Sequence, residues 1–197
     1  MRIGLLGGSF DPIHKAHVAV ACAALDQQQL DAVDLIPAGQ PWQKPTLKAT
    51  PEQRAEMIEL AIAGKPNLRL NQIELERSGA TYTIDTLEML DNAHTYYWIL
   101  GSDQLANFCS WHRWEDIAQR VTLLVAERPG SPQTIPDALQ QRVAQGLAKI
   151  QSLPLEPMPI SASDLRQKLA QGACVDDMLD PRVAQYIKQH KLYEIQS

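Results

Sequence analysis

The feature that most constrains the fold of this 197-residue chain is the regular alternation of short apolar runs with longer segments that carry helix signals. Residues 2–6, 32–36, 68–75, 96–100 and 121–126 read as buried strands, and a further short strand is predicted near 150–155. Between and after them the sequence predicts helices over about 14–28, 51–64, 83–90, 137–147, 163–171 and 181–189. Thr50-Pro51-Glu52 is a helix start: a hydroxyl cap, proline where no backbone donor is needed, and an acid in the first turn. Asp180-Pro181 repeats the device, and Gly64 with Pro66, Gly172, and Arg128-Pro129-Gly130 mark stops and turns. Strand then helix in this order predicts an α/β fold with a mostly parallel sheet and helices on both faces. A small helical part is predicted at the C-terminal end, with the core over about 1–158 and the helical part over about 159–197 of a single domain. Sheets of this kind take ligands beyond the carboxyl ends of their strands, where the strand order reverses. The residues that follow Leu6, Ile36 and Leu100 are therefore the first candidates for chemistry.

Composition excludes several classes. Hydrophobic residues make up 45% and charged residues 21%, the balance of a globular chain and not of a disordered, collagen-like or membrane-spanning one. Eighteen Lys and Arg against 23 Asp and Glu leave a formal charge of −5. That argues against nonspecific nucleic-acid binding while leaving room for a local basic cleft. Cys22, Cys109 and Cys174 are far apart and odd in number, so they predict neither a disulfide framework nor a cysteine zinc site. The apolar stretch before Gly7 is too short for a signal peptide or a membrane span. A cytoplasmic protein with no membrane partner is expected, and the residues select neither a monomer nor a homo-oligomer.

The first loop is chemically loaded: Gly7-Gly8-Ser9-Phe10-Asp11-Pro12-Ile13-His14-Lys15-Ala16-His17. Glycines let a backbone approach a phosphate and turn N–H groups toward it, and the helix start behind them favours an anion. His14 and His17, three apart, would share one face of a helix, with Ala16 leaving room between the rings. The set describes a cradle for a polyphosphate with two imidazole donors. It is neither G-x-x-x-x-G-K-[ST] nor G-x-G-x-x-G. Alone, Gly-Gly would mark only a tight turn, and the H-x-x-H pair lacks the Cys or Glu partners of a zinc site. Near the other end, Ile160-Ser161-Ala162-Ser163-Asp164-Leu165-Arg166 offers hydroxyl caps and a guanidinium expected on the first turn of a helix, a second clamp for anions.

The first string closely resembles the G-G-x-F-D-P-x-H-x-G-H motif of the nucleotidyltransferase superfamily, with Ala16 in place of the last glycine. The second resembles its I-S-x-[ST]-x-[IL]-R motif. Further segments narrow the resemblance to the bacterial nicotinate-nucleotide adenylyltransferases. These are residues 37–45, Thr81-Tyr82-Thr83-Ile84-Asp85-Thr86-Leu87, and Gly101-Ser102-Asp103 followed by Phe108, Trp111 and Trp114, with Tyr186-Ile187 and Leu192-Tyr193 at the end. The family usually carries P-P-H-K before its phosphate-binding lysine; here Pro41-Trp42-Gln43-Lys44 keeps the lysine and lacks the second proline and the histidine.

The resemblance implies a Rossmann-like domain joining nicotinate mononucleotide to the AMP moiety of ATP, with Mg²⁺ held mainly by the ATP phosphates and release of pyrophosphate. It implies that His14, His17, Lys44 and Arg166 act in catalysis. Gly7, Gly8, Ser9, Phe10, Gly101, Asp103, Ser161 and Ser163 would join His14, His17 and Arg166 in binding ATP. Gly8, Ser9, Lys44, Thr83, Asp85, Trp111 and His112 would hold the mononucleotide. The residue chemistry suits these roles: Lys44 as a point charge on a Gly- and Pro-bearing loop, Asp103 as an acceptor for ribose hydroxyls, Trp111 as a flat face for a pyridine ring. Trp98 and Trp114 read as core, His94 and His190 as surface. Two alternatives stand beside this one: another small nucleotidyltransferase, such as a nicotinamide mononucleotide or phosphopantetheine adenylyltransferase, and a nucleotide-binding module without catalysis.

Overall fold

The computed structural model describes residues 1–39, 47–77, 79–127, 134–156 and 158–194. Within them six parallel strands form one sheet: β1 (Arg2–Gly8), β2 (Ala32–Pro37), β3 (Leu68–Leu70), β4 (Thr95–Gly101), β5 (Val121–Glu127) and β6 (Lys149–Pro154). The helices are α1 (Lys15–Gln28), α2 (Pro51–Ile62), α3 (Thr83–Met89), α4 (Ser102–Ala106), α5 (Trp114–Arg120), α6 (Asp137–Ala144), α7 (Ala162–Ala170) and α8 (Pro181–Gln189), with a 3₁₀ turn at Phe108–Ser110.

Alternation along the strands sends side chains to two apolar layers. Leu6, Val33, Leu35, Tyr97, Ile99, Leu124 and Leu153 face one layer, where α1, α2, α7 and α8 contribute Ala21, Ile58, Leu165 and Ile187. Ile3, Leu5, Ile36, Trp98, Leu100, Leu123 and Val125 face the other, closed by Ile84, Leu105, Ile117 and Leu139 of α3 to α6. Both faces are covered, as buried parallel strands require.

The strand order is β3-β2-β1-β4-β5-β6. Order reverses between β1 and β4, so the loops leaving Gly8 and Gly101 flank one crevice, the place where an open α/β sheet receives a ligand.

The differences from the sequence reading are local. The strand expected over 68–75 ends at Leu70, because Asn71 diverts the chain: its Oδ1 accepts from the Ile73 N–H at 3.1 Å while its Nδ2 donates to Asp34 at 3.1 Å. Helices α4 and α5 were not read from the sequence; each spans two turns or fewer, too short for a period to emerge. His14 is not helical. It is the extended residue before α1, at φ −143° and ψ 170°. Arg166 lies in the second turn of α7, not the first. Gln40 to Thr46, with Lys44, and the turn at 128–130 lie outside the described residues.

Candidate active site

The loop between β1 and α1 is held from beneath. Phe10 is buried in the left-handed region at φ 45°, a conformation a phenylalanine keeps only where its surroundings dictate it. Its ring meets His17 edge-on at 5.0 Å. A Cβ on Gly8 would stand 3.2 Å from that ring, and one on Gly7 3.1 Å from Trp98, so the two glycines admit the aromatic rings on which the loop rests.

The two histidines meet by a route other than a shared helix face. Their rings stack at 3.7 Å between centroids, and the His14 N–H donates to His17 Nδ1 at 3.3 Å. A neutral imidazole that accepts at Nδ1 carries its proton on Nε2, which makes Nε2–H the donor edge of His17. His14 is 6% exposed, and burial lowers its pKa from 6.5 to about 4, so it is neutral at physiological pH. Its buried Nδ1 has no hydrogen-bond partner among the described residues, and neither does Ser102 Oγ at the start of α4. Both are polar groups that a ligand could satisfy.

Asp11 is the junction of the site. It is 2% exposed, and its carboxylate accepts from the N–H groups of Lys48 and Ala49 at 2.9 and 3.0 Å and from the Tyr193 hydroxyl at 2.8 Å. Its carbonyl accepts from the Arg166 guanidinium at 2.7 Å, across 155 residues of chain. Arg166 also reaches Ser163 Oγ at 3.4 Å, while Ser161 caps α7 by accepting from the Asp164 N–H at 3.1 Å. Below the loop lies Arg54 of α2, 0% exposed, donating to the Ser9 carbonyl at 2.9 Å. Burial lowers its pKa, and the Asp11 carboxylate opposes that shift. Sequence reasoning passed over Arg54, although a signal was present: it sits four residues before Ile58 and seven before Ala61, on the apolar stripe of α2.

The second half of the site gathers around the start of α3. Thr83 opens the helix, and Asp85 accepts from Arg77 at 2.8 Å. Buried Glu74 accepts from Thr86 Oγ1 at 2.8 Å; burial raises its pKa, against the pull of the Thr86 hydroxyl and the Arg77 charge. Gly39, after β2, approaches so closely that a Cβ there would collide with the Glu74 carbonyl oxygen. His112 is exposed and lies against Tyr82 at 4.8 Å, which joins the 111–112 turn to the start of α3. Trp111 is half-buried, 6.3 Å from Trp98 edge-on and 5.3 Å from Phe108. Gly7 and Trp111 thus share Trp98, linking the two halves. Asp103 is exposed in the first turn of α4, beyond Gly101 at the end of β4. Lys44, expected to complete the cationic set, lies outside the described residues.

Comparison with known proteins agrees with this architecture. Residues 5–168 match the cytidylyltransferase-like family. Over its full length the chain is 52% identical to the protein of Bordetella pertussis named "Probable nicotinate-nucleotide adenylyltransferase", covering 98% of each. It is 39% identical to the protein of that name from Laribacter hongkongensis, covering 100% of this chain and 96% of the relative. The chain belongs to the nicotinate-nucleotide adenylyltransferase family. Its fold is also that of the Plasmodium falciparum nicotinic acid mononucleotide adenylyltransferase solved in complex with NaAD, at a TM-score of 0.77, 23% identity and coverage of 98% and 97%.

Proposed function

We infer that the chain transfers the adenylyl group of ATP to nicotinate mononucleotide, forming deamido-NAD and releasing pyrophosphate, a step of NAD biosynthesis. The observation that carries this reading is the meeting of the β1–α1 loop and Arg166 at Asp11, beside the crevice where the strand order reverses. That meeting supports a guanidinium and two stacked imidazoles acting together on one anion. Full-length similarity to proteins named for this activity agrees with it.

The reaction calls for no protein nucleophile. The mononucleotide's phosphate is largely dianionic at neutral pH, and one of its oxygens attacks the α-phosphorus of ATP in line with the departing pyrophosphate. The new P–O bond forms as the α–β bridge breaks, and the electron pair of that bridge leaves with pyrophosphate. The protein aligns the partners and stabilises the charge that moves onto the leaving group. We assign that stabilisation to His17 Nε2–H, His14, Arg166 and Lys44. Gly7, Gly8, Ser9, Phe10, Gly101, Asp103, Ser161 and Ser163 would complete the ATP site. Thr83, Asp85, Trp111 and His112 would hold the mononucleotide with Gly8, Ser9 and Lys44.

Among the described residues no three His, Cys, Asp or Glu side chains gather where they could hold a metal ion. The donors present, neutral imidazoles and guanidinium, fit Mg²⁺ carried by phosphate oxygens and water. When bound, the ion neutralises charge on the transferring and leaving phosphates. We place the protein in the cytoplasm, where its free thiols Cys22, Cys109 and Cys174 suit a reducing environment. Among the described residues no helix is long and apolar enough to cross a membrane.

The test is pyrophosphate release from ATP and Mg²⁺ with a panel of acceptors. Release and a deamido-NAD product are expected with nicotinate mononucleotide, and less with the nicotinamide form. Release with phosphopantetheine instead, or with no acceptor at all, overturns the reading.

A further inference from the structure

The C-terminal segment does more than cover the core. After α8 the chain reverses through two non-glycine residues in the left-handed region, Lys191 at φ 52° and Tyr193 at φ 66°, and this brings the Tyr193 hydroxyl to Asp11 Oδ1, 182 residues away, at 2.8 Å. Asp11 is also where the N–H groups of Lys48 and Ala49 and the guanidinium of Arg166 converge. Those bonds tie together the histidine-bearing loop, the chain just after the segment carrying Lys44, and α7. We propose that Tyr193 is a positioning residue for adenylyl transfer, its hydroxyl holding the Asp11 carboxylate so that His14, His17 and Arg166 stay in register with one another.

Three features support the assignment. Tyr193 is mostly buried, and burial followed by the Asp11 charge pushes its pKa upward, so the phenol stays protonated and donates. A neutral donor restrains the carboxylate without adding charge next to Arg54 and Arg166. Asp11 contacts the groups assigned to catalysis through its own backbone: its carbonyl takes Arg166, and it lies three residues before His14. Freeing one carboxylate oxygen therefore loosens the loop at its centre. The inference rests on the functional reading above only for its kinetic arm.

The experiment compares Tyr193→Phe with Tyr186→Phe, a control on α8 whose hydroxyl is influenced by Glu56 and not by Asp11. Loss of a hydrogen bond to a charged group should lower kcat of Tyr193→Phe about tenfold, with KM for both nucleotides changed less than about twofold. Tyr186→Phe should keep kcat while losing comparable thermal stability. Amide hydrogen exchange read on the same proteins should rise in residues 9–17 and 47–49 of Tyr193→Phe and not in Tyr186→Phe. Unchanged exchange there, or equal kcat losses in both variants, overturns the proposal. Should the parent protein form no deamido-NAD, the exchange arm still decides whether Tyr193 positions the loop, while the functional reading falls separately.

Discussion

The imidazoles of His14 and His17 lie 3.7 Å apart, their planes inclined by only 22°. Two imidazolium rings could not rest so close without strong repulsion, and burial keeps His14 neutral with a pKa lowered from 6.5 to about 4. His14 adds no charge to the stack, and the Arg166 guanidinium at the Asp11 carbonyl is a permanent cation on the same loop.

A dependence of stability on pH follows. In the folded protein His14 resists protonation, whereas in the unfolded chain it takes a proton near pH 6.5. Between those values the unfolded state binds more protons, so stability falls as pH drops from about 6.5 toward 4. This one group accounts for up to about 3 kcal/mol of that loss. Urea unfolding at pH 7.5 and 4.5 should show a smaller drop for His14→Gln than for the parent. Equal drops would mean that His14 titrates normally.

His17 carries its proton on Nε2 because Nδ1 accepts from the His14 backbone. If that proton meets charge moving onto pyrophosphate, His17→Ala should lower kcat by about 10²–10³, the range for losing one preorganised donor. KM should move little and circular dichroism should be unchanged. Near-normal turnover would remove His17 from the chemistry.

Much of this was legible in the residues. The strand and helix order led to the parallel sheet, and the strings around His14 and Arg166 marked two segments that the fold brings together at Asp11. The contacts that join those halves were not legible. That Asp11 ties Arg166, Ala49 and Tyr193 depends on where a loop, a helix and the chain's end meet in space, and no local pattern encodes it. Asn71 ended β3 early through side-chain bonds that a run of strand-forming residues does not reveal. His14 and His17 met through a cap and a stack where helical spacing had suggested a common face, so the pairing was right and its geometry was not.

Arg54 shows what such contacts are worth. Fully buried, it donates to the Ser9 carbonyl and offsets the charge of Asp11. Arg54→Met preserves much of the volume but leaves the Asp11 carboxylate less compensated in the interior. A loss of about 3 kcal/mol in unfolding free energy is expected. Adding Asp11→Asn should bring a further loss smaller than that of Asp11→Asn alone, since the two share one network. Strict additivity in denaturant melts would show that they do not interact.

Trp111 is supported on one side and partly open on another. Trp98 and Phe108 brace it at 6.3 and 5.3 Å, and it remains partly exposed next to His112, whose ring meets Tyr82 at the start of α3. A braced, partly open indole suits stacking with a pyridine ring, and one aromatic stack contributes about 1–3 kcal/mol. Trp111→Ala should therefore raise KM for nicotinate mononucleotide about tenfold or more and leave KM for ATP within a factor of about two. Trp111→Phe, keeping a flat face, should recover most of the loss. If initial-rate kinetics instead show the ATP requirement rising while that for the mononucleotide holds, Trp111 belongs to the other half of the site.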